Sequence, residues 1–358
     1  MEKSAAMKST EKPLLVKYRN KLYDITDFAH KHPGGIGTLG KLDNMDITHH
    51  FSAMPPHSPA AKYLMKEYRV TNAPETEQNG KVSNGIHLNG HNYHHRGKEA
   101  NNNGDLHTAL DDIDDSMEYL VDWSSAMIPQ IANLGSNYVE WVNKPVDRPL
   151  RLFGPWYLEM CTKTPWYIVP LFWIPIIIYL VIRGSKDVAL MTNESQPLQI
   201  LLSFGTGVIV WTLLEYSLHR WVFHMDTKEM GKIFATFHFL IHGLHHKVPF
   251  DPYRLVFPPV PAMIIVSILY PPIRLLFQTY SFVVLAGGIS GYVIYDMIHF
   301  YLHYGSPSGG HLYFMKRYHY QHHFVHHDRG FGISSSVWDD IFGTKILLRR
   351  LKYILKWK

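Results

Sequence analysis

Apolar and polar residues divide this chain into a polar first part and a later part with long uncharged stretches. Residues 1–150 are rich in polar side chains. Later stretches without Asp, Glu, Lys or Arg are residues 166–182, 195–214, 255–273 and 275–295. Each approaches the ~20 residues that a helix needs to cross a bilayer whose hydrocarbon core is ~30 Å thick. The pattern therefore predicts about four transmembrane helices.

The third stretch is the weakest as a straight helix because it contains Pro258, Pro259, Pro261, Pro271 and Pro272. Membrane helices tolerate proline where neighbouring groups satisfy the freed backbone. We expect this stretch either to be broken or to form a hairpin with the fourth that does not fully cross. Helices buried in a large soluble core are the alternative, and the membrane reading is favoured. Either membrane arrangement returns the chain to its starting side.

Histidines are concentrated after residue 218. Of 24 histidines, 14 lie between His219 and His327. Their clusters are His219 and His224; His238, His242, His245 and His246; His299 and His303; and His319, His322, His323, His326 and His327. Steps of three and four residues share one helix face, so each cluster is expected to point at a common centre.

The ten best-spaced histidines are enough for two metal ions, because one ion takes at most a handful of imidazoles. A dinuclear metal site is the economical interpretation. We expect His311, His326 and His327 to be solvated residues. His238 lies one turn before the following triplet and is either a ligand or a residue that supports one.

Charge orients the predicted helices. The first histidine clusters are accompanied by Arg220, Lys228, Lys232, Lys247 and Arg254, whereas the loops of the opposite side carry Arg183, Lys186 and Arg274. The positive-inside rule places the histidines in the cytosol. The net charge of +5 suits a membrane-apposed surface and indicates no nucleic acid. One cysteine, Cys161, excludes an intramolecular disulfide.

The polar first part contains a small domain and a linker. The segment VKYRNKLYDITDFAHKHPGG predicts two strands around a tight Arg-Asn turn, a short helix, and a loop that presents His32. Residues 75–112 are rich in Asn, Gly and His and predict a flexible tether. The predicted domains are therefore 11–74, the linker 75–112, and the membrane domain 113–358.

The segment from Tyr23 to Phe28, followed by His32 and the Pro-Gly-Gly turn, resembles the haem-binding motif of cytochrome b5 domains. In that family a second histidine before serine binds the opposite haem face, and His57 matches it here. The resemblance implies haem b held by His32 and His57, with no open position for dioxygen on the iron. His49 and His50 lack the matching context and are expected at the surface.

The whole chain outside the linker resembles the fatty acid 2-hydroxylases of the fatty acid hydroxylase superfamily, which carry a fused cytochrome b5. The residues that carry this resemblance are MEYLVDWSSAMIPQI, YVEWVNKPVDRPLRLF, TPWYIVPLFWIPIIIYL, the histidine clusters and SSSVWDDIFGT. The metal ligands that it implies are His219, His224, His242, His245, His246, His299, His303, His319, His322 and His323. Candidates to support these ligands are His238, Glu215, Asp296, Asp328, Asp339 and Asp340.

The fold class implied is a small α+β cytochrome b5-like haem domain, followed by an all-α polytopic membrane domain of about four transmembrane helices with a cytosolic helical histidine-rich metal cap. The expected location is the endoplasmic reticulum membrane. The expected activity is insertion of one oxygen atom from dioxygen at carbon 2 of a long acyl chain destined for or within sphingolipids. A di-iron site is expected, although imidazole also binds zinc. A flavoprotein reductase would supply electrons to the haem, because the chain has no GxGxxG-type nucleotide loop.

Two alternatives stay open. A cytochrome b5-fusion acyl or sphingolipid desaturase also needs a histidine-rich di-iron site, but front-end desaturases typically have QxxHH where this chain has His319-Tyr-Gln-His322-His323. A membrane-anchored haem electron carrier without its own catalysis would leave the ten histidines without a purpose. The residues favour the hydroxylase.

Overall fold

The computed structural model describes residues 12–32, 36–53, 57–70, 117–226, 231–307 and 309–348. The predicted linker 75–112 and the turn after His32 lie outside the described residues, as does the basic tail from residue 349.

The N-terminal domain is built on a two-stranded antiparallel hairpin. Strand β1 is Leu15–Tyr18 and strand β2 is Lys21–Asp24. Arg19 and Asn20 both have positive φ, the conformation that a tight two-residue hairpin turn requires. The predicted strands and Arg-Asn turn are confirmed. The helices are α1 (Thr26–Ala29), α2 (Ile36–Leu39), α3 (Thr48–Ala53) and α4 (Pro59–Met65), with 3₁₀ turns at Gly40–Leu42 and Lys66–Tyr68.

The rest of the described chain is helical. Its α-helices are α5 (Ile128–Ile131), α6 (Tyr138–Val142), α7 (Trp156–Cys161), α8 (Ile168–Thr192), α9 (Pro197–Ser217), α10 (Gly231–His238), α11 (Leu244–Lys247), α12 (Pro259–Phe277), α13 (Ser281–Tyr304), α14 (Gly310–Phe324) and α15 (Val337–Ile341). Its 3₁₀ turns are Glu118–Leu120, Gly135–Asn137 and Gln278–Tyr280. Its π-helical segments are Leu218–Phe223 and Phe239–Gly243.

Within the described ranges, three helical stretches are long and apolar enough to cross a membrane: Ile168–Thr192, Pro197–Phe223 and Pro259–Tyr304. Large apolar side chains such as Leu171, Leu201 and Ile268 are exposed on their outer faces, as expected for helices in lipid. The third stretch contains both α12 and α13, joined by the turn at Gln278–Tyr280. The protein is therefore a membrane protein, while the count of four crossings stays a prediction.

Glycines bring α9 and α13 into backbone contact. A Cβ atom added to Gly207 would lie 2.0 Å from the Val284 carbonyl oxygen, and one added to Gly287 would lie 2.0 Å from that of Phe204. Small residues allow such close helix approach in membranes. The pairing of Gly207 with Val284, together with that of Trp211 with Tyr292 and Tyr295, shows that the two helices run parallel. His219, which follows α9, and His299 and His303, which lie near the C-terminal end of α13, are therefore at the same end of the two helices.

The remaining short helices, α5–α7, α10, α11, α14 and α15, cover that end of the long helices and, with the loops that join them, form a cap. The N-terminal domain packs on this cap. Glu67 pairs with Arg148 at 2.6 Å, and Lys31 pairs with Asp147 at 2.5 Å. The small domain and the histidine clusters thus lie on the same side of the long helices.

Candidate metal and haem sites

Nine of the ten implied metal ligands form two compact groups at the cap. The first histidine group is His219, His224, His242 and His322, and the second histidine group is His245, His299, His303, His319 and His323. Within each group the ligand nitrogens all lie within 4.8 Å of one another. The groups adjoin, because the ring centroids of His242 and His245 are 5.6 Å apart, as are those of His322 and His323.

The sequence clusters do not each form one centre, and that expectation was wrong. His242 belongs to the first group and His245 to the second, while His322 and His323 divide in the same way. An α-helix turns about 100° per residue, so residues four apart differ by only about 40° while neighbours diverge. The pair His319 and His323 therefore shares a centre, and the intervening His322 faces the other one.

A π-helical turn brings His219 and His224 together. The His224 amide donates to the His219 carbonyl at 3.1 Å, a bond between residues five apart. A π-turn aligns residues at that spacing, whereas an α-helix would rotate them apart. The spacing of five in this cluster is thus matched by the local backbone of Leu218–Phe223.

The nitrogens of the second group are placed as metal ligands are. The His319 Nε2 atom lies 3.1 Å from that of His299, 2.9 Å from that of His303 and 3.0 Å from that of His323. One imidazole nitrogen cannot hydrogen-bond three others. A metal–nitrogen bond of about 2.1 Å with right angles puts neighbouring ligand nitrogens about 3 Å apart. The second group therefore fits a metal ion.

The nitrogens of the first group have the same spacing, and His246 lies next to this group. The His242 Nε2 atom lies 3.2 Å from that of His219, 3.1 Å from that of His224 and 3.0 Å from that of His246. The Nε2 atom of His322 is buried and has no hydrogen-bond partner among the described residues. A buried polar atom without a partner is costly, and a metal ion at this position would satisfy it. The tenth implied ligand, His246, thus adjoins the first group.

Carboxylates position the first group through a loop. The His219 Nδ1 atom lies 2.5 Å from the Phe331 carbonyl oxygen, which leaves Nε2 for a metal. Asp339 accepts hydrogen bonds from the Phe331 and Gly332 amides, and Glu215 accepts from the Ile333 and Ser334 amides. These two buried carboxylates therefore hold the loop whose Phe331 carbonyl contacts His219.

The other supporting candidates fall into two classes. The buried His238 has its Nδ1 atom 2.5 Å from the Tyr138 hydroxyl, and the buried Asp296 accepts a hydrogen bond from the Phe257 amide at 3.1 Å. Asp328 is exposed, and the exposed Asp340 pairs with Lys345 at 2.6 Å. The two surface carboxylates are thus removed from the ligand shell, whereas the two buried residues remain candidates for it.

Burial keeps the cap imidazoles neutral. It lowers the pKa of His242, His245 and His323 well below the ordinary 6.5, and the neighbouring imidazoles lower it further. Neutral imidazole is the form that binds metals. Protons therefore do not compete effectively with a metal ion at neutral pH.

His32 and His57 face each other in the N-terminal domain. Their ring centroids are 6.3 Å apart with planes 26° from parallel. An imidazole bound to a first-row metal at about 2 Å has its ring centre about 3 Å from the metal, so two rings on opposite faces of one iron have centres about 6 Å apart. The His57 Nδ1 atom lies 2.9 Å from the Phe51 carbonyl oxygen, which leaves its Nε2 for the iron. The pair fits a haem, while His49 and His50 are exposed.

Sequence reasoning missed the residues that join the two sites. Tyr320 lies inside the histidine motif, yet its hydroxyl donates to the Lys31 carbonyl at 2.9 Å, beside the haem ligand His32. Glu118 accepts from the Tyr63 hydroxyl and from Lys247, each at 2.6 Å. The two members of each pair are far apart along the chain, so no local sequence pattern predicts their contact. His327, expected to be solvated, has its ring centroid 5.7 Å from that of His246.

Comparison with known proteins gives matches to both parts of the chain. A family model described as "Fatty acid hydroxylase" matches residues 204–344, and one described as "Cytochrome b5-like Heme/Steroid binding domain" matches residues 2–73. A curated "Fatty acid 2-hydroxylase" from Rattus norvegicus is 36% identical over 343 residues, covering 91% of this chain and 89% of its own.

A second curated relative is similar along almost its full length. "Ceramide very long chain fatty acid hydroxylase SCS7" from Saccharomyces cerevisiae is 34% identical over 380 residues, covering 98% of this chain and 96% of its own. A solved structure described as "Full length scs7p (only hydroxylase domain visible)" superposes with a TM-score of 0.58 at 34% identity, covering 68% of this chain and 90% of that one.

Proposed function

This chain belongs to the fatty acid hydroxylase family, and from that membership and its two histidine groups we propose that it is a membrane fatty acid 2-hydroxylase of sphingolipid metabolism. It inserts one oxygen atom from dioxygen at carbon 2 of a long acyl chain, either before that chain enters a sphingolipid or within one. The observation that carries the proposal is the convergence of ten histidines on two adjoining centres beside a haem-type histidine pair.

The proposed ligands are the ten histidines named above, with iron in both groups. Imidazoles suit iron because they bind it without neutralising its charge. When bound, the two iron ions supply the activation of dioxygen that breaks the carbon–hydrogen bond and returns a hydroxyl group. Residues of the chain hold the ligand rings: Glu215 and Asp339 through the loop at Phe331, and Arg329 through its carbonyl, which lies 2.7 Å from the His322 Nδ1 atom.

The haem domain fits the electron supply of such an enzyme. Bis-histidine ligation by His32 and His57 leaves no open position on the haem iron, so this domain carries electrons. A flavoprotein reductase is the proposed source of those electrons.

We place the protein in the endoplasmic reticulum membrane with four crossings, the haem domain and both histidine groups in the cytosol. The excess of Lys and Arg beside the histidine clusters supports this orientation. The location of the haem domain and the histidine groups at one end of the long helices agrees with it.

A desaturase is the competing activity, because it uses the same kind of centre. The last cluster of this chain begins with His319 rather than Gln, and the His319 ring lies within the second histidine group. The named relatives are hydroxylases. These observations favour hydroxylation.

The test is a lipid analysis of cells that lack endogenous 2-hydroxylation. Expression of the intact chain should produce 2-hydroxy acyl chains, and the His322→Ala/His323→Ala variant should produce none because both centres lose a ligand. A His32→Ala variant should lose the haem Soret band and the reductase-driven product together. New double bonds without hydroxyl groups would assign the chain to the desaturases instead.

A further inference from the structure

The haem domain is fixed to the cap by charged and apolar contacts. Arg148 donates from two nitrogens to the two oxygens of Glu67, each at 2.6 Å. Asp147 accepts from Lys31 at 2.5 Å and from the Tyr68 hydroxyl at 2.6 Å. Bidentate and doubly bonded carboxylates define an orientation as well as an affinity. The contacts therefore specify one way for the haem domain to lie on the cap.

An aromatic cluster fills the centre of this interface. The ring of Phe28 in the haem domain meets that of Phe250 in the cap edge to face, with centroids 5.9 Å apart. Leu64 of the haem domain is buried together with Phe250 and Tyr320. Aromatic anchors of this kind dominate the energy of interfaces and exclude water.

Tyr320 spans the distance between the two cofactor sites. Its hydroxyl donates to the Lys31 carbonyl at 2.9 Å, and Lys31 directly precedes His32. The same hydroxyl lies 3.5 Å from the carbonyl oxygen of His303, a member of the second histidine group, and the two rings are 6.0 Å apart between centroids. Tyr320 also directly follows His319, another member of the second histidine group, in the sequence. One side chain thus contacts the backbone of the residue that precedes a haem ligand and the backbone of a metal ligand.

We propose that the haem domain works in this docked orientation and that Tyr320 is the bridge through which electrons pass from the His32 side of the haem to the second histidine group. This inference rests on the proposed function, since it requires a redox-active metal in that group. It adds a defined route and a receiving centre to the electron supply.

Tyr320 acts in this proposal as a positioning residue that is not itself oxidised. The Lys316 ammonium lies 5.0 Å from the centre of the Tyr320 ring and is almost fully buried. It also donates to the Gly305 carbonyl at 2.9 Å, which holds it in place. A fixed positive charge at this distance opposes the removal of an electron from the phenol. The bridge therefore connects the two centres without a tyrosyl radical.

The step is a one-electron transfer without a proton. Ferric haem reduced by the flavoprotein to the ferrous state is oxidised back to ferric, and one ferric ion of the second histidine group is reduced to ferrous. Two such transfers, together with two protons and one dioxygen, balance one hydroxyl group inserted into a carbon–hydrogen bond and one water.

The first experiment measures this step without acyl substrate. In the full-length protein with haem and oxidised iron, a flash-excited flavin reduces the haem under anaerobic conditions, and the Soret absorbance follows its reoxidation. Tyr320→Phe removes the hydroxyl and should slow reoxidation severalfold, because the hydrogen-bonded connection from the Lys31 carbonyl to the second histidine group is then lost. Haem spectrum, haem potential and iron content should stay unchanged. Tyr179→Phe, the same change at a side chain that is 64% exposed on α8, should keep the wild-type rate.

The second experiment tests the orientation by charge exchange. Glu67→Arg and Arg148→Glu should each slow reoxidation, because like charges then face each other, and the double exchange should restore most of the rate. Salt screens surface charges, so the single variants should respond to ionic strength differently from wild type, whereas Tyr320→Phe should respond as wild type does.

The outcomes distinguish a failure of the Tyr320 bridge or the docked orientation from a failure of the proposed electron supply. A wild-type rate in Tyr320→Phe would overturn the bridge, and wild-type rates in both single charge variants would overturn the docked orientation. If the haem of the wild-type protein is not reoxidised at all, the proposed electron relay fails and this inference with it.

Discussion

The position of a histidine along its helix decides which centre it serves. His322 and His323 are adjacent in α14, yet His322 lies with His219 and His224 while His323 lies with His245 and His303. The helical rotation between neighbours sends the two rings in different directions. One short motif therefore supplies ligands to both centres and fixes how far apart they lie.

We predict that single substitutions remove ions separately. His224→Ala deletes a ligand of the first histidine group only, and His303→Ala deletes one of the second only. Each variant should retain about one ion per chain and lose hydroxylation, because the chemistry requires both. Metal analysis of the purified protein measures the stoichiometry.

The matched control is His311→Ala, which changes an exposed histidine outside both groups and should keep two ions. Loss of both ions in either single variant would mean that the two centres assemble as one unit.

At the scale of elements, carboxylates from two different helices support one loop. Asp339 in α15 and Glu215 in α9 together accept four backbone amides between Phe331 and Ser334. The Thr344 hydroxyl also donates to Asp339, at 2.7 Å. The WDDIFG segment thus acts on the metal site from outside its ligand shell.

We predict that Asp339→Asn lowers metal affinity by about 10- to 100-fold, the usual effect of losing a group that orients a ligand. An amide cannot accept from Phe331, Gly332 and Thr344 as the carboxylate does, so His219 loses its fixed acceptor. Competition with a metal chelator measures the affinity. Asp340→Asn alters the exposed neighbour that pairs with Lys345 and should leave the affinity unchanged.

The contact between α9 and α13 offers a second test. Gly207→Ala places a Cβ atom 2.0 Å from the Val284 carbonyl, so the helices must separate, at a cost of about 1–3 kcal/mol or more. The thermal unfolding midpoint in detergent should fall. Gly205→Ala, two residues earlier in the same helix, meets nothing within 4 Å and should be neutral or slightly stabilising. Equal midpoints for the two variants would contradict the close approach of the backbones.

For the whole molecule, the sequence was sufficient to predict those features that a local, repeated pattern encodes. Uncharged stretches indicated the long helices, and the spacing of His299 and His303 indicated a shared centre. The sorting of His242 from His245 needed the exact direction of each ring. The contact of Tyr320 with Lys31 needed the docking of two domains, which depends on surfaces separated by 289 positions in the chain. Such pairs leave no periodic signal.

We predict that acid destabilises the whole cap. Burial lowers the pKa of His238 and of His327 to about 4, below the 6.5 of an unfolded chain. The unfolded state therefore binds more protons between these values, and stability that is complete above pH 6.5 is lost as the pH falls towards 4. Each ring contributes up to about 3 kcal/mol to this loss. Unfolding midpoints and metal content between pH 7.5 and 5 measure it, and a flat profile would contradict the burial of these rings.

The Nδ1 atoms of the two histidine groups differ in their hydrogen bonds. In the first group, the Nδ1 atoms of His219 and His322 lie against backbone carbonyls, although that of the adjoining His246 has no hydrogen-bond partner among the described residues. In the second group, His299 has a backbone hydrogen bond with Leu255, whereas the Nδ1 atoms of the other four rings, His245, His303, His319 and His323, have no partner among those residues. Rings fixed in one tautomer are set for coordination before an ion arrives, while rings without that restraint must be ordered by the ion itself. The two positions should therefore load in sequence, with the first group filling earlier and releasing its ion later, so that a newly made chain passes through a one-ion form that cannot yet act on lipid.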